Sequence, residues 1–350
     1  MWNYILRKIA YGSLVLFAVT VIVSVIINLS PVDPASLTFG QRLDEETLKS
    51  KKEQLGLDLP IYRQVALYLK DIAPVYVGPS KNWSENYSGK SITLGAYRIG
   101  VKAPYLRESY QSGQKVSSIL LNAFPNTLYL ACLAIGLATI LGLFLGTISA
   151  LSKGTWLDHS IIFFSTLGFS VPSYVTAIVL AVIFGYYLNS VTGLNIQGSL
   201  YELNDFGDEV LVLKNLILPA IALGIRPVAI VTQLMRSSML RISKEQFVLS
   251  AKAKGLSQKK IVIHHTLRNA LNPVITALTG WFAALLAGAF FVEFIFNYKG
   301  LGFVTVMALL NYDIPVVLGA LLLTCTLFIF INILVDITYA LLDPRVKLHN

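Results

Sequence analysis

The chain has 350 residues, 55% of them hydrophobic and only 13% charged, with a formal net charge of +9. Soluble domains carry roughly 25% charged residues, so this composition excludes an ordinary soluble protein and predicts a polytopic membrane protein. The basic excess does not point to nucleic acid, because much of it falls in one loop between apolar runs, as the positive-inside rule expects. Cys132 and Cys325 both lie inside apolar runs, so no disulfide framework is implied.

Six apolar runs follow one another, at approximately 9–29, 125–150, 161–188, 216–236, 274–296 and 315–341, each near the roughly 20 residues that cross a bilayer core. The first follows Arg7 and Lys8 and ends in Ser30-Pro31-Val32-Asp33-Pro34 with no small-x-small cleavage site. It reads as a retained anchor, residues 1–30, with a cytoplasmic N-terminus. Residues 31–118 then form a small extracytoplasmic domain. Within it, 44–56 places acids before lysines and ends at Gly56, which predicts a helix. Pro60 to Leu69 predicts a second helix, and beyond Pro74 the pattern breaks into loop and short strand. Gly89-Lys90-Ser91 resembles the end of a phosphate loop, but the first glycine of that motif would fall at Ser84, so no nucleotide site is expected.

Residues 119–343 form a five-helix core, followed by a cytoplasmic tail at 344–350 that carries Arg345 and Lys347. An even number of spans puts both termini on the cytoplasmic side. The 189–215 loop, with Glu202, Asp205, Asp208 and Glu209 against Lys214, is expected outside. Arg226 lies in the middle of the fourth run. A mid-membrane arginine faces a polar cavity or a partner, so it is either a pore-facing cation or the structural partner of an acid or of free carbonyls near Pro227. Glu293 stands near the outer end of the fifth run, as an outer-gate or structural residue, and Asp336 reads as a structural partner. His264 and His265 are adjacent and point to different helix faces, so no metal site is expected.

The most informative stretch is the loop 236–273. From Arg236 to Asn272 it holds eight Lys/Arg against one acid, Glu245. Ser243-Lys244-Glu245-Gln246 fits a capping box, with Ser243 as N-cap and Gln246 at N3. A short helix is expected to run to about Lys254 and stop at Gly255, with Phe247, Val248 and Ala251 as its apolar stripe. Ser257 then caps a second helix, Gln258 to about Leu271. Pattern alone leaves two readings open: a helix pair that docks onto a cytoplasmic partner, or a basic amphipathic helix on anionic lipid.

Ser250-Ala251-Lys252-Ala253-Lys254-Gly255-Leu256, then His265-Thr266-Leu267-Arg268-Asn269-Ala270-Leu271 and Pro273, resembles the extended "EAA" loop of ABC-importer permeases, and more narrowly the dipeptide/oligopeptide/nickel permease family. Pro125-Asn126-Thr127-Leu128, Ser170-Val171-Pro172-Ser173, Glu293-Phe294-Ile295-Phe296 with Gly300-Leu301-Gly302, Leu55-Gly56-Leu57-Asp58, and Asp343-Pro344-Arg345 fit the same group. Arg241, Lys299 and Val32 depart from it, standing where the group tends to have an acid, a proline and a glycine.

The resemblance implies an all-α polytopic membrane protein with the ABC type I importer permease fold: six transmembrane helices and a small extracytoplasmic domain between the first two. It implies a multi-pass subunit of a prokaryotic plasma (inner) membrane, paired with a second homologous permease, two cytoplasmic ATPases and an extracytoplasmic substrate-binding protein. ATP and Mg are used by the partner ATPases; this chain binds no cofactor and has no catalytic residue. Glu245, Ser250, Ala251, Gly255 and Leu256 are the residues expected to couple to an ATPase, with Ala251 packed against its groove. Arg226, Ser170, Pro172 and Glu293 are the pathway or gate candidates, and in its pore-facing reading Arg226 is expected to meet a peptide carboxylate. Peptides are the expected substrate, with a nickel or metallophore importer of the same family as the alternative. A secondary transporter is disfavoured, because no strong internal repeat is present and the acids cluster at span ends. An intramembrane enzyme would need a nucleophile with its base, which the spans lack.

Overall fold

The computed structural model describes residues 2–29, 49–50, 53, 58–80, 83–84 and 87–342. The helix expected at 44–56, the Ser30–Pro34 turn, the Leu55-Gly56-Leu57 match, Asp343-Pro344-Arg345 and the tail at 344–350 lie largely or wholly outside those residues. The chain divides into two compact units, Met1–Phe124 with Val304–Ile329 (and Leu348–Asn350), and Pro125–Phe303 with Phe330–Lys347.

The first unit contains α1 (Trp2–Leu29), α2 (Ile61–Ile72), a sheet of β1 (Val75–Pro79), β2 (Gly89–Leu94) and β3 (Tyr97–Lys102), and the opening turns of α3 (Val116–Leu151). The helix predicted at Pro60–Leu69 forms, and Pro60 stands at its N-cap, where a missing N–H costs nothing. The sheet is antiparallel in the order β1-β3-β2, with Val77 opposite Ile99 and Ile92 opposite Ile99 on the other side. The strands fall beyond Pro74, where loop and short strand are expected, while the membrane-length elements are helical. Tyr76, Trp83, Tyr87 and Tyr105 stack edge-on behind the sheet, and β-branched and aromatic residues suit its pleated surface. Asp71 anchors the segment: it accepts from Tyr87 Oη at 2.6 Å and Arg107 Nε at 2.8 Å. Lys102 Nζ donates to the Asp71 carbonyl, and burial lowers the pKa of this lysine. Tyr68, Leu318 and Leu322 form a small core with Leu16 and Val23, which joins α2 to α1 and to the start of α11 (Ile314–Leu342).

The second unit holds the rest of α3, α4 (Trp156–Ser170), α5 (Ser173–Leu180, continued as a π-helical turn over Ala181–Tyr187), α6 (Ile217–Ile242), α7 (Gln246–Ala253), α8 (Arg268–Gly288) and α9 (Phe290–Ile295). The short α10 (Leu301–Leu310) starts in this unit and continues into the first. Among the described residues five helices are long and apolar enough to cross a membrane, and the α4–α5 pair, bent by 103°, makes a sixth crossing if counted as one span. The bend has a local cause. Val171 is extended (φ −80°, ψ 129°) ahead of Pro172, which forbids the α conformation to its predecessor and lacks an N–H. The expected fifth span, 274–296, ends instead at Gly288; Ala289 breaks it and α9 follows.

Helix α6 is the centre of this unit. It packs on α8, α4 and α5 and is the most enclosed of the spans. Close approach comes from glycine. A Cβ on Gly142 would sit 2.5 Å from Val231 Cγ1, and one on Gly146 would sit 2.6 Å from the Thr232 carbonyl. Gly142 and Gly146 form a G-x-x-x-G pair that lets α3 lie against the backbone of α6. Leu130, Ala134, Leu223, Leu286, Phe296 and Tyr298 fill the core at one end. The residues 189–215 add a two-stranded hairpin, Tyr201–Leu203 with Glu209–Leu211.

Candidate functional site

The basic loop forms α7 as a short separate helix. Glu245 is its N-cap (φ −68°, ψ 147°), with no side-chain capping bond, and its carbonyl accepts the N–H of Val248 at 3.0 Å and of Leu249 at 3.1 Å. The capping box read at Ser243 does not form: Ser243 Oγ donates to the Leu240 carbonyl of the preceding helix at 2.9 Å. The α6 end runs on through Ile242, so Ser243 terminates that helix rather than starting the next. After α7, Gly255 takes φ +76°, the left-handed position a helix C-terminus favours for glycine. Its N–H and that of Leu256 return to Lys252 and Ala251 carbonyls at 3.0 and 3.3 Å.

The orientation of α7 corrects the expected role of Ala251. Val248 (0% exposed) and Ala251 (5%) face inward, onto a core with Met239, Ile261, Ala270 and Val274. Ala251 therefore seats the helix on its own chain and is not open to a partner. Phe247 (45%) and Leu249 (50%) face outward, with Ser250, Lys252 and Lys254. The apolar stripe thus splits, Val248 and Ala251 inward and Phe247 outward, because helical spacing puts 248 and 251 on one face and 247 and 250 on another. Glu245, Ser250, Gly255 and Leu256 are exposed. The second loop helix is not separate: Gln258–Lys260, a π-helical turn at Ile261–Leu267 and α8 run on without a break, and Pro273 lies inside α8.

One polar node escaped sequence reading. Asp158, in the first turn of α4, accepts two bonds from Arg236 of α6, Nε to Oδ1 and Nη2 to Oδ2, both 2.7 Å. Ser149 Oγ of α3 donates to the same carboxylate, and the Gly154 N–H does so at 2.9 Å. Asp158 is buried and has a partner on each side, so the α3–α4 turn is locked to α6 just before the basic loop. The available signal was a lone acid after Lys153-Gly154-Thr155 and the first arginine of the loop, too far apart in sequence to pair by inspection.

The pathway candidates are dispersed. Ser170 and Pro172 form the α4–α5 bend, with Ser170 Oγ bonded to the Thr166 carbonyl at 2.9 Å. Glu293 is fully buried: Oε1 accepts from Thr127 Oγ1 at 2.7 Å, and Oε2 accepts the N–H of Gly302 at 2.7 Å and of Phe303 at 3.1 Å. It caps the start of α10, where unpaired N–H groups and the helix dipole favour a carboxylate. Arg226 of α6 has no acid or carbonyl partner among the described residues. Its guanidinium carbon lies 5.2 Å from the Phe169 ring centroid and 5.8 Å from that of Trp281. Among the described residues no group of three or more His, Cys, Asp or Glu is placed to hold a metal.

Membrane-length helices, with one bent pair and a short helix in the basic loop, define a multi-pass membrane protein. Residues 142–348 match the family model described as "Binding-protein-dependent transport system inner membrane component", and residues 1–131 match the model of the N-terminal part of such components. The chain belongs to this family. It is similar to the di/tripeptide transport system permease protein DppB of Pseudomonas aeruginosa (33% identical, 99% of both chains covered). It is also similar to the dipeptide transport system permease protein DppB of Bacillus subtilis (31%, 100% and 99% covered) and the oligopeptide transport system permease protein OppB of Haemophilus influenzae (30%, 99% and 100% covered). A crystal structure of the MetNI methionine ABC transporter in an inward-facing conformation shares the fold, with a TM-score of 0.53 at 15% identity, over 65% of this chain and 97% of that one.

Proposed function

We propose that this chain is a permease subunit of an ATP-driven importer of dipeptides or oligopeptides and forms half of its translocation pathway. The substrate class rests on full-length similarity to permeases named for di/tripeptide, dipeptide and oligopeptide transport. The mechanism rests on α7. Its inner face is packed into the chain's own core and its outer face presents Phe247, Leu249 and two lysines. A helix held this way transmits a push from a partner to α6 and α8 as a rigid body, because packed interiors shift as units. In this reading the partner is a cytoplasmic ATPase, Phe247 and Leu249 enter its groove, and ATP and Mg act there. The substrate-binding protein delivers peptide from the side of the 58–115 segment, and a second permease completes the pathway. The loop 236–273 and both termini then lie in the cytoplasm, in keeping with the eight Lys/Arg of that loop and the acids of 189–215.

The test is the pair Phe247→Ala and Leu249→Ala, in the complex with its partner permease, ATPases and binding protein. Both variants should insert and assemble with the partner permease. The ATPases should dissociate more readily, with transport lost in proportion, since an apolar anchor in a desolvated pocket contributes on the order of 2 kcal/mol. Unchanged ATPase retention and unchanged transport in the double variant would remove α7 as the docking element.

A further inference from the structure

Arg226 is the tenth of the 26 residues of helix α6 and one of its partly exposed positions, beside Ile225, Val228 and Ile230. Helices α4 and α8, which supply Phe169 and Trp281, both pack on α6.

The surroundings of Arg226 suit an anion. Phe169 of α4 and Trp281 of α8 approach its guanidinium at 5.2 and 5.8 Å. Its Nε is buried with no hydrogen-bond partner, and no carboxylate pairs with it among the described residues. Aromatic faces hold a guanidinium in place but supply no hydrogen-bond acceptor for its in-plane N–H groups. The residue is half-buried, and its guanidinium is the planar fork that binds carboxylates in a bidentate manner. A permanent charge at this depth, walled by aromatics and lacking a counter-ion, is costly unless an anion visits it.

We propose that Arg226 is the subsite of the translocation pathway that receives the C-terminal carboxylate of the transported peptide, with Phe169 and Trp281 as its walls. The ligand class rests on the peptide-importer reading above; the anion site itself rests on the geometry. The guanidinium binds the carboxylate transiently.

The experiment uses the reconstituted complex with its partner permease, ATPases and binding protein, and two probes: trialanine and trialanine amide. Each is assayed with wild type, Arg226→Gln and Arg226→Lys, alongside ATP hydrolysis stimulated by the loaded binding protein. Any preference of the binding protein is common to all variants and cancels when variants are compared. Arg226→Gln should reduce the acid-over-amide transport ratio by on the order of tenfold, the worth of a charge-assisted hydrogen bond. Arg226→Lys keeps the charge but loses the planar fork and should reduce the ratio less. It also decides the matter if Arg226→Gln does not assemble. A ratio unchanged in the variants, or equal losses for both probes, would overturn the carboxylate subsite while leaving the peptide importer in place. A wild-type complex that moves neither probe would overturn the peptide reading and this subsite together.

Discussion

Asp158 and Arg236 form a two-bond ion pair across helices, with both N–O distances at 2.7 Å. The Asp158 side chain is 2% exposed and that of Arg236 23%. Ser149 and the Gly154 N–H complete the carboxylate's shell, so the charge is buried without an unpaired oxygen. The pair fixes the α3–α4 turn to the end of α6 and so sets the platform from which the basic loop departs.

Removing one partner leaves the other charge buried. Arg236→Gln should therefore cost roughly 3–5 kcal/mol. The expected outcome is poor assembly and a lower thermal midpoint of the detergent-solubilised complex. Replacing both residues, Asp158→Asn with Arg236→Gln, should recover part of that loss, because no charge is then orphaned. Thermal unfolding of the single and double variants measures the difference, and additive losses would mean the two residues do not interact.

Gly146 should not tolerate a side chain. Its Cβ would lie 2.6 Å from the Thr232 carbonyl and 2.7 Å from Met235 Cβ, and a backbone oxygen cannot swing aside. Gly146→Leu should destabilise the unit by about 1–3 kcal/mol or more through overpacking. Gly136 on the same helix meets nothing within 4 Å, so Gly136→Ala should be neutral or slightly stabilising. Size-exclusion profiles of detergent extracts after graded heating separate the two.

Ala251 and Gly255 should fail for different reasons. Ala251→Glu drives a carboxylate into the core beside Met239 and Ile261, so the loop itself should unfold locally. This should appear as proteolysis within 246–256 even without the ATPases. At Gly255 the space is open and only the backbone matters, since φ is +76°. Gly255→Asn should be tolerated and Gly255→Val should not, by about 1–2 kcal/mol. Equal stability of the Asn and Val variants would show that the left-handed turn is not retained in the working protein.

Single cysteines test the direction of insertion. In a background without Cys132 and Cys325, Ser84→Cys should react with an impermeant thiol reagent in intact spheroplasts. Ser257→Cys should react only after permeabilisation, because it lies in the basic loop proposed to be cytoplasmic, where it is exposed. Labelling of both from one side would contradict an even number of crossings.

The sequence by itself determined the elements whose signal is local. Apolar runs located the membrane-length helices, Gly255 marked the left-handed stop, and the basic loop with its flanking motifs pointed to the family, whereas the run 161–188 reads as one span and gives no notice of the bend at Pro172. What the tertiary structure decided depends on residues distant in the chain. Ser243 was read as a cap because its four-residue context fits one, but the continuing α6 took its hydroxyl. Ala251 was placed outward because a small residue in a motif suits a partner groove, yet the direction of a helix face is set by what it packs on, here Met239, Ile261 and Ala270. Asp158 meets Arg236 across 78 positions and Thr127 meets Glu293 across 166, so no local pattern announces either pair. For Arg226 the sequence supplied the depth, and so the cost of the charge. Only the packing of α4, α6 and α8 showed that two aromatic rings, rather than an acid, stand beside it.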